Sequence, residues 1–164
     1  MLYAFNAAEV FQIAIEIEEN GKLFYDKARE KTDDDEVKAV FKSLGLAEIQ
    51  HKELFASLLA KLPPSARETT VWDPDNEMDQ YLKMMADMHV FRTSENLDGR
   101  LAVISSAEEA LRLALEFEKD SIVFFLSMKD MTEENQGREL IGQIVKEELS
   151  HHKKISVELL KQKK

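Results

Sequence analysis

Cysteine is absent from this 164-residue sequence, and turn-forming residues are scarce, with three prolines and five glycines. Without a thiol there is no disulfide, no thiolate nucleophile, and no cysteine-held zinc or iron–sulfur cluster. So few prolines and glycines argue against an all-β fold, which punctuates its strands with turns. Positive charge is in deficit: 22 Lys and Arg stand against 32 Asp and Glu, a formal net charge of −10. A phosphate backbone needs a basic surface, so nucleic acid is not an expected partner. No apolar run approaches the ~20 residues needed to span a bilayer, and the N-terminus lacks the basic-then-apolar pattern of a signal peptide. A cytoplasmic protein without a membrane partner is the expectation.

What is present favours helices. Hydrophobic residues make up 44% and charged residues 33%, the mix of amphipathic helices around one core. The first helix is expected from about Phe5 to Glu30. One apolar stripe runs through Phe11, Ala14, Ile15, Gly21, Tyr25 and Ala28, with Glu18 inside it. A second stripe (Val10, Ile13, Ile17, Phe24) implies packing on two sides and makes a homodimer an expectation. Thr32 is a candidate cap for the next helix, and the acidic run Asp33 to Glu36 suits its positive end. That helix carries a seam stepping by fours and threes through Val37, Phe41, Leu44, Glu48, His51, Phe55, Leu58 and Leu62, and Pro63-Pro64 ends it.

Residues 63–106 break the pattern. Asp73-Pro74 reads as a helix start, with Met78, Tyr81, Leu82, Met85 and Met88 as its apolar face, ending near Arg92. The stretch is too long for a hairpin and reads as a crossover along a bundle, with one extra helix. His89 within it reads as a packed or surface residue. A third helix follows from Ser106 to about Lys129, with Leu111, Ala114, Leu115, Glu118, Ile122 and Phe125 inward. Thr132, Glu133 and Glu134 are candidate caps for a fourth, whose stripe is Ile141, Ile144, Glu148, His151, Ile155 and Leu159.

The two helix pairs repeat each other at an offset of 100 residues. Glu48-x-x-His51 returns as Glu148-x-x-His151, Glu18 as Glu118, and Phe24 as Phe124. Asp33 lies midway between Glu18 and Glu48, so an antiparallel hairpin turning there brings both to one level. The turn near Glu133 does the same for Glu118 and Glu148. Four glutamates and two histidines thus point into one apolar seam. Left unmetallated, the four carboxylates would cost several kcal/mol each, roughly, in desolvation and would repel one another. They balance two divalent cations, and mixed carboxylate and imidazole donors suit iron or manganese. The competing reading, polar seam residues that set helix register, ordinarily needs one such residue, not six in a symmetric set.

These residues, with Tyr25 seven after the first glutamate, resemble the ferritin-like diiron-carboxylate superfamily, and within it the rubrerythrin-type domain. The resemblance implies an all-α, ferritin-like four-helix bundle over 1–164, with antiparallel pairs at 5–62 and 106–162 joined by the 63–106 crossover. It implies that Glu18 and His51 hold one iron, that Glu118 and His151 hold the other, and that Glu48 and Glu148 bridge them. Tyr25 then stands behind the metals. Such proteins reduce O2 or peroxide at two ferrous ions, and some oxidise iron for storage. Manganese is an alternative metal, and zinc is expected in some recombinant material. Two departures stand out. The cysteine-free sequence carries no rubredoxin domain, so an external electron donor is implied. Rubrerythrins also place a further Glu three residues after the third-helix ligand, where this chain has Ser121. A storage ferritin's short fifth helix is not expected after Lys164. A helical interaction module with a purely structural metal is the remaining alternative.

Overall fold

The protein is described from a computed structural model covering residues 7–64, 75, 77–89, 94–132 and 135–162, apart from the side chains of 78, 79, 82, 94, 96 and 135. Six helices follow one another among these residues: α1 (Ala7–Glu30), α2 (Asp35–Lys61), α3 (Glu77–Asp87), α4 (Ser94–Ala102), α5 (Ala107–Asp130) and α6 (Asn135–Lys161). The fold is an all-α, ferritin-like four-helix bundle. α1 packs on α2 and α5 on α6, and the two pairs meet along α1–α5 and α2–α6. Lys161 Nζ reaches Glu36 Oε2 at 2.8 Å, and Gln162 Nε2 reaches Asp34 Oδ2 at 2.9 Å. The end of α6 therefore lies beside the α1–α2 turn, so the two hairpins sit at opposite ends of the bundle. No helix among the described residues is long and apolar enough to cross a membrane.

Both stripes of α1 are buried, including Val10, Ile13, Ile17 and Phe24. The second stripe is covered within the chain, and α3, α4 and α5 all pack against α1, so its burial needs no second copy. Aromatic rings fill the layers on either side of the bundle's middle. Phe24, Tyr25, Phe41 and Phe117 cluster with centroid separations of 5.0–6.5 Å. Phe55 meets Phe125 at 5.0 Å and Phe11 at 6.2 Å. Each such ring buries roughly 150–250 Å², and together they make the layers on either side of the middle apolar.

The helix ends and the crossover together correct three expectations: the cap of α2, the number of crossover helices and the exposure of Met88 and Tyr81. The cap of α2 is Asp34, whose Oδ1 accepts from Glu36 N at 2.9 Å and Val37 N at 3.0 Å. Thr32 lies too far upstream to reach those amides, and its hydroxyl accepts from Asp34 N at 3.2 Å. Thr132 Oγ1 donates to Met128 O at 2.6 Å, closing the end of α5. Glu133 and Glu134, the other expected caps of α6, lie outside the described residues. Ser106 caps α5, accepting from Glu109 N. The crossover holds two helices where one was expected. Asp73-Pro74 and Arg92 lie outside the described residues, as do the side chains of Met78 and Leu82. Of the expected α3 face, Met88 is 70% exposed and Tyr81 40%, while Ala86 and His89 are buried. Met85, also on the expected face, packs against the core.

Gly21 is needed for a close approach. A methyl group there would run into the Phe117 ring and stand 3.2 Å from Glu48 Oε2. Gly→Ala inside a helix ordinarily gains up to about 1 kcal/mol, whereas overpacking a core costs about 1–3 kcal/mol. Gly21→Ala is therefore expected to lower stability in denaturant titration, and a gain would show that Phe117 yields freely.

Candidate metal centre

α1 supplies Glu18, α2 supplies Glu48 and His51, α5 supplies Glu118, and α6 supplies Glu148 and His151. Each lies mid-helix, where the stripe positions face the bundle axis. Glu18 is 1% exposed, Glu48, Glu118 and Glu148 are 0%, and His51 is 3%. The histidines hold the same level, with rings stacked at 5.6 Å and 20°. Two overlapping ligand groups result: Glu18, Glu48, His51 and Glu148 in one, and Glu48, Glu118, Glu148 and His151 in the other. Within each, one donor atom per residue lies within 4.8 Å of all the others. Glu48 and Glu148 belong to both, and all six residues singled out from the sequence converge.

The ligand atoms face one another with few hydrogen bonds between them. Both carboxyl oxygens of Glu18 and of Glu48 lack a hydrogen-bond donor, as does Glu118 Oε2. His51 Nδ1 stands 2.9 Å from Glu148 Oε1 and 3.7 Å from Glu18 Oε2. His151 Nδ1 stands 3.1 Å from Glu148 Oε2 and 3.6 Å from Glu118 Oε2. Buried acceptors without donors are costly, and cations at their common focus would satisfy them. The residues present therefore fit two divalent metal ions.

Without metal the site holds protons tightly. Burial pushes the Glu18 carboxyl well above the ordinary carboxylate range; Glu48 opposes this in part, and the charges of Glu148 and Glu118 add to it. Burial followed by the charge of Glu18 does the same to Glu48, and burial followed by that of Glu148 to Glu118. Glu148 goes the other way: burial would raise it, but hydrogen bonds from His151 and His51 hold it below the usual range. Burial would lower both histidines, yet the carboxylates around them lift His51 to about 9 and His151 to about 10, with Glu148 the leading partner of His51 and Glu118 of His151.

The rubrerythrin family profile matches residues 9–159. The chain belongs to the rubrerythrin family. A solved structure from Thermotoga maritima, provisionally described as a ferritin-like diiron-carboxylate protein, matches with a TM-score of 0.72 at 21% identity, covering 100% of this chain and 99% of that one. At that identity the likeness speaks for the fold alone. No curated protein matches the sequence.

Around the six residues, this rubrerythrin-family chain shows features that spacing did not reveal. Tyr25 O–H donates to Glu118 Oε1. Burial and then the charges of Glu118 and Glu48 push the phenol well above 10, so it keeps its proton. Ser121 is buried and lies 3.0 Å from His89 Nε2, and the His89 ring stands edge-on to Phe117 at 5.4 Å. His89 is thus a packed residue, paired at the position where rubrerythrins carry their extra glutamate.

Glu147 was missed from the sequence. Its Oε2 lies 3.0 Å from His51 Nε2, and a proton on Nε2 leaves Nδ1 free to face the carboxylates. The repeat places Ala47 opposite Glu147, so no carboxylate at that position can hold His151, which is also more exposed at 13%. Comparing the halves for differences as well as matches would have flagged it. Glu147→Ala is expected to weaken the ion on the His51 side by roughly 10–100-fold while sparing the other. Chelator competition reads this, and equal weakening of both ions would contradict it.

Proposed function

We propose that the protein is a non-haem diiron oxidoreductase that reduces O2 or peroxide, drawing electrons from an external donor. The observation that carries this reading is the buried cluster in which two groups of ligands share Glu48 and Glu148 while their inward oxygens lack donors. Glu18 and His51 would hold one ion, Glu118 and His151 the other, with Glu48 and Glu148 between them. Iron held by these residues would supply redox chemistry, one electron from each ferrous ion to an O–O bond. The chain's own groups set the surroundings. Tyr25 keeps a proton at Glu118 Oε1, Glu147 fixes the ring of His51, and the Phe24, Phe41 and Phe117 rings exclude water on one side. Ser121 cannot act as a carboxylate ligand, so this reading rests on the six residues named.

The experiment is metal analysis followed by stopped-flow mixing of ferrous protein with O2 and with H2O2. About two iron or manganese ions per chain are expected, and one or none would contradict the reading. Zinc in recombinant material would not, because N/O sites bind it tightly whatever their native metal. Fast peroxide turnover with added reductant supports the oxidoreductase. Growth of an iron mineral would point to iron handling, and no reaction to a structural metal.

A further inference from the structure

We infer that divalent metal reaches the centre through the groove between α1 and α2, and not across α5 and α6; the inference rests on the metal-centre reading. A cavity of about 210 Å³ opens between α1 and α2, with Ile49 and Lys52 among its walls and Glu18 and Glu48 lining it. Those two carboxylates are at most 1% exposed, and none of their oxygens has a hydrogen-bond donor. The groove thus ends on two residues whose ligand atoms are buried and unpartnered, and it has room for several waters and so for a partly hydrated ion.

The rim favours a cation. Glu19 and Glu53 line it, and its two lysines are each tied to an acid: Lys52 to Glu19 at 2.6 Å across the two helices, and Lys22 to Asp26. The repeat gives the other face as an internal control. At the offset of 100, Glu19 and Glu53 become Lys119 and Lys153, both exposed, and Ile49 becomes Leu149. The same two positions therefore carry negative charge on one face and positive charge on the other, which favours a cation at the first. Lys52, paired across the two helices with Glu19, lines the groove wall.

The test is stopped-flow uptake of Co²⁺ by metal-free protein, followed by the visible absorption of the bound ion. Ile49→Trp adds bulk at a position already 36% exposed. It should slow uptake by roughly tenfold or more at unchanged final stoichiometry, because loading then waits on local opening of the helices. Leu149→Trp should load at the wild-type rate. The double variant Glu19→Lys with Glu53→Lys should load several-fold more slowly at low salt, with the gap closing at high salt. Wild-type rates in Ile49→Trp, or slowing in Leu149→Trp instead, would overturn the route while leaving the centre intact. If Ile49→Trp does not fold, the double variant decides, and a wild-type rate at low salt overturns the route. Wild-type protein that binds no Co²⁺ would overturn the centre and the route together.

Discussion

Stripped of metal, the protein is expected to melt at a lower temperature at pH 8 than at pH 5, by on the order of 5 °C. Glu18, Glu48 and Glu118 hold protons more tightly folded than unfolded, chiefly because they are buried. Above the ordinary carboxylate value of 4.5 the folded state therefore carries more protons than the unfolded one, and stability falls as pH rises. His51 and His151 act in the same direction. Raised from 6.5 to about 9 and about 10, they contribute fully below 6.5 and lose that contribution as pH climbs through their folded values. Glu148 is depressed, so its contribution is complete above 4.5 and is lost only as pH falls further. Between pH 5 and 8 the net slope is negative.

Bound metal reverses that slope. The carboxylates must then be ionised and the inward histidine nitrogens free, so metal competes with protons and binds more tightly as pH rises. The loaded protein is expected to lose stability toward acid while the metal-free form gains it. Melting curves of both forms from about pH 5 to pH 8 make the comparison. Parallel curves would mean that the six side chains are hydrated and that the centre is misread.

Replacing Glu48 or Glu148 with alanine is expected to remove both ions, whereas alanine at Glu18, Glu118, His51 or His151 should chiefly weaken one. The reason is geometric: Glu48 and Glu148 take part in both ligand groups, the others in one. Partners that merely orient a ligand are worth roughly 10–100-fold in affinity, so losing a shared ligand should exceed that for each ion. The same residues are a burden to the metal-free fold. Glu48→Leu removes a buried carboxyl from an apolar layer and is expected to stabilise the metal-free protein by roughly 1–4 kcal/mol while abolishing metal binding. Metal titration of the alanine set and denaturant unfolding of the leucine variant are the measurements. Equal loss of both ions in all six alanine variants would refute the shared role.

The sequence by itself determined the four long helices and the six inward residues, because both follow from local periodicity. A stripe at helical spacing must face the core. Glu18 and Glu48 lie equidistant from Asp33, and a hairpin turning there has no choice but to bring them level. The 100-residue repeat then doubled the set without any knowledge of packing.

Tertiary structure decided what depends on which atoms stand opposite. Thr32 and Asp34 are both good caps by type, and only the position of the first free amides selects Asp34. Met85 packs against the core while Met88 of the same expected face stays exposed, a difference set by how α3 lies against α1 and α5. His51 and His151 occupy equivalent places in the repeat, yet α6 offers Glu147 to one, while α2 has only Ala47 at the matching position. Ser121 looks like a gap in a ligand set until His89 arrives beside it from the crossover. Periodicity sets the face on which a side chain lies, but partners on another helix depend on register and rotation to within an ångström, which no spacing along one strand of sequence carries.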